Sequence, residues 1–217
     1  MNTKDELIKL SGVIIGVKDY KEYDKLLTLL TKEKGKIKTY AFNIKKCKSK
    51  NIGKARLFTF GIFELRFHNN HYQLENIILK NSFIELSNDY TLICYASYFV
   101  ELVDYFSFEN IESENVCLLL YYTFKALINN KISPKLIRRI FELKMLEYQG
   151  EYKISENLDS DNKTLKYTWD FILNNIPKNL YSFNLSDEIF RLFDNELITE
   201  MKNKVYKKFK TLDMIEK

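Results

Sequence analysis

The spacing of apolar residues changes once along this 217-residue chain, and this change constrains the fold more than any other feature. Before residue 83, apolar residues come in short runs that alternate with polar ones or end at turn residues, which is the pattern of β-strands. Beyond Ser87 they recur every three or four residues, which is the pattern of helices. We therefore predict two domains, a β-domain at 1–83 and an α-helical domain at 84–217.

Short β-patterned segments fill the first domain. Strands are predicted at 8–20, 25–31, 36–44, 57–68 and 72–82. Gly35 suits the turn before the third strand because glycine adopts positive φ at little cost. Asn69-Asn70 suits the tight hairpin between the last two strands. Five strands with no long helix pattern among them predict a closed Greek-key barrel of the oligonucleotide-binding (OB) fold.

Helical patterns fill the second domain. Helices are predicted at 88–106, 113–129, 133–149, 164–175 and 186–208. Ser133-Pro134 is a typical helix start, because serine caps free N–H groups and proline fits the first turn. Ser113 and Ser186 are expected to begin helices in the same way, and Gly150 is expected to follow the end of the third helix. The two halves together predict an α+β multidomain protein.

Positive charge is concentrated in one segment. The chain has a net charge of +5, yet residues 34–63 contain nine cations and no Asp or Glu. A lysine-rich composition would scatter cations but would not also exclude acids. A strand that leads into a lysine-rich loop is typical of elements that follow a phosphate backbone. We predict sequence-independent DNA binding by Lys36, Lys38, Tyr40, Lys45, Lys46, Lys48, Lys50, Lys54 and Arg56. The alternative is a solvated loop without a ligand.

Aromatic residues of the barrel are candidates for stacking on bases. The candidates are Tyr40, Phe42, Phe60 and Tyr72. Strand alternation is expected to place Tyr40 and Phe42 on the same face as Lys38 and Ile44. A barrel core also needs aromatic residues, so filling the core is the alternative role at each position.

Two polar clusters suggest catalysis or metal binding but favour ordinary turns. His68 and His71 flank a predicted hairpin, and no third metal ligand lies near them in sequence. Asp19, Glu22 and Asp24 could hold magnesium in a nuclease, yet no second carboxylate motif accompanies them. Neither a phosphate-binding glycine loop nor a nucleophilic triad is evident. We predict that the protein is not an enzyme and needs no cofactor or metal. A nuclease and an RNA- or protein-interaction module are the alternatives.

A second basic set lies in the helical domain and could bind a partner. It comprises Arg138, Arg139, Lys204, Lys207 and Lys208. We expect most of these on exposed helix faces, where an adjacent apolar groove would let them receive an acidic peptide. Cys47, Cys94 and Cys117 form no CxxC pair, and the last two are expected to be buried. Neither a signal peptide nor a membrane-length apolar run is present, so we expect a cytoplasmic protein without a membrane partner.

The order of the motifs resembles the bacterial recombination mediator family RecO. The motifs are GVIIGVKDYKEYDKLLTLLTKEKGKIKTYA, AFNIKKCKS, LFTFGIFEL, YASYFVELVDYF, RRIFELKMLEYQG and KFKTLDMIE. They cover nearly the whole chain in the family's order and spacing. The RecO family has an N-terminal barrel and a helical C-terminal domain, which agrees with the fold predicted from the residue patterns.

The resemblance implies a recombination mediator in DNA repair. Such a protein would bind single- and double-stranded DNA, anneal complementary strands and, with RecR, help RecA onto strands coated with single-stranded-DNA-binding protein. It also implies that the helical domain receives the acidic C-terminal tail of that coating protein. Two positions depart from the family. Residues 151–169 contain none of the four cysteines that often bind zinc, so we expect no zinc, and Phe42-Asn43 replaces the usual Lys-Gly.

Overall fold

The N-terminal half forms the predicted barrel. In a computed structural model that describes residues 6–150 and 163–215, the strands are β1 Glu6–Asp19, β2 Lys25–Thr31, β3 Gly35–Ala41, β4 Phe60–His68 and β5 His71–Asn81. They close in the order β1-β2-β3-β5-β4. Only the β3–β5 pairing is parallel, and the other four are antiparallel. This topology confirms the OB-type barrel.

The C-terminal half is helical, also as predicted. Its helices are α1 Tyr90–Phe106, α2 Glu114–Asn129, α3 Pro134–Tyr148, α4 Lys163–Asn174, α5 Asp187–Lys204 and α6 Leu212–Ile215, with short 3-10 helices at Ile84–Asn88 and Pro177–Asn179. The Ser133 hydroxyl caps α3 by accepting from Leu136 N at 3.2 Å. Gly150 follows α3 with φ of +69°. No helix within the described residues is long and apolar enough to cross a bilayer.

The described chain divides into two compact units. The barrel unit comprises residues up to Ile84 together with Asp104–Cys117, and the helical unit comprises Glu85–Val103 and the residues from Leu118 onward. The end of α1, the following connection and the first turn of α2 therefore pack with the barrel.

The barrel interior is filled by alternate strand residues. Ile37, Thr39 and Ala41 of β3 are buried while Lys38 is exposed, so β3 has one inward and one outward face. The core cluster is Leu10, Ile14, Leu27, Leu29, Ile37, Ala41, Ile44, Ala55, Phe63, Leu65 and Ile77. Phe60 is buried against Phe83, and Tyr72 packs against the core cluster.

One predicted strand face differs from the structure. β3 ends at Ala41, because Asn43 adopts a left-handed conformation with φ of 54° and turns the chain. Ile44 is consequently buried in the core, with 3% of its surface exposed. The prediction that Ile44 shares an outer face with Lys38 is therefore wrong. The predicted turns at Gly35, Asn69 and Asn70 are confirmed by their positive φ values.

Gly35 joins the barrel strands to the segment that follows α1. Backbone hydrogen bonds of 2.9 to 3.0 Å connect the β2–β3 turn with this segment. A Cβ atom at Gly35 would lie 2.3 Å from the Phe108 carbonyl oxygen and 2.4 Å from that of Ile111, and the φ of +63° also favours glycine. Two independent constraints therefore require glycine at this turn.

A buried ion cluster lies in the helical unit. The Glu142 carboxylate is fully buried and accepts hydrogen bonds from Arg138 Nε and Arg139 Nη1, both at 2.7 Å, and from the Tyr98 hydroxyl. Arg139 also contacts the Asp194 carboxylate. Arg138 and Arg139 are only 8% and 4% exposed, so the prediction that they lie on an exposed helix face is wrong. Their positions three and four residues before Glu142 place both beside it on α3.

The ion cluster sets the protonation of Glu142. Burial alone raises the pKa of a carboxyl group, but the two arginines and the Tyr98 hydroxyl outweigh burial and hold the Glu142 pKa below its usual range. A carboxyl with a depressed pKa in the folded state stabilises the fold above its unfolded pKa of about 4.3. That stabilisation is lost as the pH falls through the folded pKa.

We expect Glu142→Gln to be destabilised at pH 7 by about 3–5 kcal/mol, because it removes the buried carboxylate that Arg138 and Arg139 share. The difference from wild type should begin to shrink as the pH falls below about 4.3, where Glu142 of the unfolded wild type becomes protonated, and should be lost as the pH falls through the lower pKa of folded Glu142. Urea denaturation from pH 3 to 8 measures both effects. Glu112→Gln at an exposed position is the control and should stay within about 0.5 kcal/mol of wild type. A Glu142→Gln deficit independent of pH would contradict the assignment.

Candidate nucleic-acid interface

The connection between β3 and β4, residues 42–59, carries most of the predicted site and is called the basic loop here. It folds as a series of tight turns, with backbone hydrogen bonds from Lys46 N to Asn43 O, from Ser49 N to Lys46 O and from Lys54 N to Asn51 O. These bonds measure 2.8 to 3.1 Å. The loop therefore has a defined internal structure.

The Asn51 side chain attaches the basic loop to β5. The parallel β3–β5 ladder contains two residue pairs and ends at Gln73. Beyond it, Asn51 Oδ1 accepts from Ile77 N at 3.1 Å, and Asn51 Nδ2 donates to Glu75 O at 3.3 Å. A carboxamide carries the same donor and acceptor as a peptide group. Asn51 thus continues the pairing along β5 where β3 leaves it.

Further contacts fix the loop along its length. Ile44 and Ala55 belong to the barrel core, and Lys54 Nζ donates to Ile77 O at 3.0 Å. At the end of the loop, Phe58 N donates to Ile14 O at 3.0 Å, with Phe58 in a left-handed conformation. The cations between these anchors consequently lie on a well-supported framework.

Four of the predicted cationic residues already contact groups of this chain. Lys36 Nζ lies 2.6 Å from the Asp104 carbonyl oxygen and 3.2 Å from its carboxylate. Lys45 Nζ lies 2.9 Å from the Asp19 carboxylate. Lys54 bonds to β5 as described, and Arg56 Nε donates to Gly53 O at 2.8 Å. Of these four, only Arg56 is exposed, so the other three have partly structural roles.

The other predicted cations are exposed: Lys38, Lys46, Lys48 and Lys50. The Lys46 ammonium lies 5.3 Å from the centre of the Tyr23 ring, a cation–π distance. An open groove of about 480 Å³ runs beside the loop. Its lining includes Phe42, Lys46, Lys48 and Lys50 from the loop and Gln73 and Leu74 from β5. Exposed ammonium groups along an open groove are suited to phosphate contacts.

An aromatic cluster lies at the end of β3. The Tyr40 and Phe42 rings are nearly parallel, at 7° and 5.9 Å between centres. Tyr20 and His71 each meet the Tyr40 ring edge-on, at 4.9 and 5.7 Å. Tyr20 is 46% exposed and Phe42 is 44% exposed. The exposed rings offer surfaces on which bases can stack, and Phe42 belongs to both the cluster and the groove.

Sequence reasoning missed Tyr20 and His71 as members of this cluster. Tyr20 follows β1 and His71 begins β5, so they are 51 positions apart in the sequence. They meet because β1 and β3 end, and β5 begins, at the same end of the barrel. The available signal was the position of each aromatic residue at a strand terminus, which becomes informative once the strand order is known.

The acidic cluster has structural contacts. Asp19 pairs with Lys45, and Asp24 Oδ1 accepts from Asn43 N at 2.7 Å. His68 and His71 are register partners in the β4–β5 hairpin. Within the part of the chain that the structure describes, no group of three or more His, Cys, Asp or Glu residues could hold a metal ion. The cysteine prediction is confirmed, since Cys94 and Cys117 are buried.

The predicted partner-binding residues are only partly brought together. Arg138 and Arg139 line a cavity of about 410 Å³, together with Tyr95, Lys135, Phe190, Asp194, Ile198 and Ile215. Lys204, Lys207 and Lys208 are not among its lining residues. Lys207 Nζ lies 3.8 Å from the Glu101 carboxylate, and Lys208 Nζ lies 3.4 Å from that of Asp213.

The closed five-stranded barrel and the helical half define an OB-fold protein with a C-terminal α-helical domain. The family models for the N terminal and C terminal of recombination protein O match residues 3–83 and 87–155. The chain belongs to the RecO family.

Curated relatives named DNA repair protein RecO are similar to this chain. The Caldicellulosiruptor bescii protein is 33% identical over 145 residues, which cover 67% of this chain and 59% of the relative. The Clostridium perfringens protein is 40% identical over 146 residues, covering 66% and 58%. The Alkaliphilus metalliredigens protein is 29% identical over 165 residues, covering 76% and 67%. The matches thus span less than two thirds of the first two relatives.

We expect Asn51→Ala to destabilise the protein by about 1–3 kcal/mol, because it removes the acceptor of the buried Ile77 N–H. Hydrogen exchange at the Ile77 amide should become faster, and urea denaturation gives the stability change. Ile52→Ala is the control, because Ile52 is a neighbouring residue that is 51% exposed, and it should change stability by about 0.5 kcal/mol or less. Wild-type protection of the Ile77 amide in Asn51→Ala would show that Asn51 does not complete the β5 pairing.

Proposed function

We propose that this protein is a non-enzymatic mediator of DNA repair that binds DNA through the basic loop and the aromatic cluster. The observation that carries the proposal is the row of exposed ammonium groups at Lys46, Lys48 and Lys50 beside an open groove that also contains Phe42. Membership of the RecO family supports the repair role, because the relatives described above are DNA repair proteins by name.

The two parts of the interface suit different parts of a nucleic acid. Ammonium groups attract phosphates as point charges and carry little base preference. Exposed rings at Phe42 and Tyr20 stack on any base, because every base has an aromatic face. Single strands would use both parts, whereas double-stranded DNA would use chiefly the cations.

Annealing follows from the same charges. Two complementary strands repel each other through their phosphates, and bound lysines lower this repulsion. Such a reaction requires no nucleotide hydrolysis and no metal. With RecR, the same protein would assist RecA loading onto strands coated with single-stranded-DNA-binding protein, as the family resemblance implies.

We expect Lys46→Glu/Lys48→Glu/Lys50→Glu to weaken single-strand binding about 10- to 100-fold near physiological salt and to slow annealing. If the wild-type loop neutralises six phosphates, its log–log salt slope is about −4, and the loss of three contacts flattens it to about −2. Fluorescence anisotropy at several salt concentrations and an annealing assay measure these effects. Lys45 and Lys54 are left intact because they contact Asp19 and Ile77.

The matched control is Lys80→Glu/Lys163→Glu/Lys166→Glu, which changes the net charge equally at exposed positions outside the loop. It should bind and anneal as the wild type does. If the loop variant and the control lose equal affinity, only overall charge matters and the basic loop is not the site. Binding by the wild type that barely weakens with salt would contradict a phosphate-based interface.

We also propose that the cavity beside Arg138 and Arg139 receives the acidic C-terminal tail of single-stranded-DNA-binding protein. The cavity combines basic Lys135 with apolar Phe190 and Ile198, which suits a peptide that is acidic and apolar. The arginines are already paired with Glu142 and Asp194. Lys135 is therefore the informative cation. Lys204, Lys207 and Lys208 would add long-range attraction.

We expect Lys135→Glu to weaken binding of a synthetic peptide of that tail several-fold, because like charges then meet in the cavity. Anisotropy of the labelled peptide measures the change. Lys166→Glu on α4 is the control and should leave peptide affinity unchanged. Equal affinity of the Lys135→Glu variant and the control would place the tail elsewhere.

A further inference from the structure

A second basic groove lies in the helical unit, and nothing described so far uses it. It has a volume of about 270 Å³. Its lining includes Tyr122, Lys125, Lys131, Ile132, Lys178 and Tyr181. We infer that this lysine groove binds the backbone of a second DNA strand while the basic loop holds the first.

The charged side chains that line the lysine groove are all lysines. Lys125, Lys131 and Lys178 are all exposed, and no acidic residue of the described parts of the chain lines the groove. Some other lysines of this protein lie beside carboxylates, as Lys36 and Lys207 do. Within residues 6–150 and 163–215, none of the three groove lysines forms an ion pair. Three exposed ammonium groups around one concavity create a local positive potential that attracts anions.

The floor of the lysine groove is aromatic and apolar. The Tyr181 hydroxyl lies 2.6 Å from the Thr123 hydroxyl, which fixes the ring in place. A tyrosine hydroxyl is neutral near pH 7, and burial raises the pKa of Tyr181 further, so the floor carries no charge that would repel an anion. Ile132 is 6% exposed and closes the floor. The groove therefore offers point charges at its rim and flat apolar surface within.

The turn between α2 and α3 holds one rim of the groove. Asn130 adopts a left-handed conformation with φ of 48°, and this turn leads directly into Lys131. Asn184 Nδ2 donates to Lys131 O at 3.5 Å. These contacts give the rim a defined backbone position, so binding costs little ordering of the protein.

The chemistry of the groove favours a nucleic-acid strand over an acidic peptide. The described lining contains no arginine, whose bidentate fork recognises carboxylates and phosphates alike, so the lysines would act as point charges. Lysines contact phosphates as point charges, and the Tyr122 and Tyr181 rings suit stacking by bases. An acidic protein segment is the competing occupant, and the test below separates it from DNA.

Two strand sites on one chain would serve strand annealing directly. The basic loop belongs to the barrel unit and the lysine groove to the helical unit. Each site would lower the phosphate charge of one strand and keep both strands on the same molecule. This inference rests on the proposed DNA-binding function and specifies where the second strand binds.

The decisive variant is Lys125→Glu/Lys131→Glu/Lys178→Glu. Short oligo-dT of about 8 nucleotides is used, so that one strand occupies one site. The wild type should bind two strands per chain at saturation. The groove variant should bind one strand, with the affinity that the basic loop has in the wild type. The groove variant should anneal complementary strands about tenfold more slowly than the wild type does. Lys80→Glu/Lys163→Glu/Lys166→Glu, with the same net charge, should retain two strands and the wild-type rate.

Lysine acetylation followed by mass spectrometry shows directly where the strand lies. Saturating oligo-dT should protect Lys125, Lys131 and Lys178 from acetylation. Added polyglutamate should not selectively displace oligo-dT from these three lysines. If the groove variant matches the control in stoichiometry and annealing, the inference is wrong. Protection of these lysines by polyglutamate but not by oligo-dT would reassign the groove to an acidic protein.

The two proposals fail in distinguishable ways. Suppose that Lys46→Glu/Lys48→Glu/Lys50→Glu loses the strand bound at the basic loop while the groove variant behaves as the control does. The proposal for the basic loop is then supported, and only the inference of a second site is wrong. If neither variant changes DNA binding, the proposed DNA-binding function of the basic loop is wrong, and so is the inference of a second strand in the lysine groove.

Discussion

The barrel depends on how the seam between β3 and β5 is closed. These strands form a parallel ladder of only two residue pairs, and parallel pairing is slightly weaker per residue than antiparallel pairing. The Asn51 carboxamide and the Lys54 ammonium extend the seam along β5. The segment that carries the exposed lysines is therefore also the segment that completes the sheet. The same contacts therefore complete the barrel and position the cations.

The two units handle charge in opposite ways. In the helical unit, Arg138, Arg139 and Glu142 are buried and satisfy one another, which fixes the packing of α3 but leaves little positive field outside. In the basic loop, Lys46, Lys48 and Lys50 are exposed, and lysine there keeps its charge hydrated and available to phosphates. The number of basic residues in a segment is therefore a poor guide to its ligand. Partners and exposure decide what each cation does.

Local signals in the sequence predicted most of the elements. The bounds of β2 were correct because turn residues flank a short apolar run, and the start of α3 was correct because Ser133 and Pro134 act locally. The burial of Ile44 and of Arg138 was not predictable, since each depends on a single conformational or pairing event, the turn at Asn43 and the pairing with Glu142. The contacts of Tyr20 and His71 with Tyr40 could be predicted only once the strand order was known. The proposed DNA-contact residues were chosen by charge, and only the structure separates the exposed lysines from those that stabilise the barrel.

Attachment of Asp104–Cys117 to the barrel has a topological consequence. The chain passes between the two units three times, at 84/85, 103/104 and 117/118. A truncation after residue 84 would therefore remove the backbone partners of the β2–β3 turn around Gly35. A single proteolytic cut in one crossing would leave the units covalently joined by the others. The barrel unit and the helical unit are thus two compact units that the chain connects at three points.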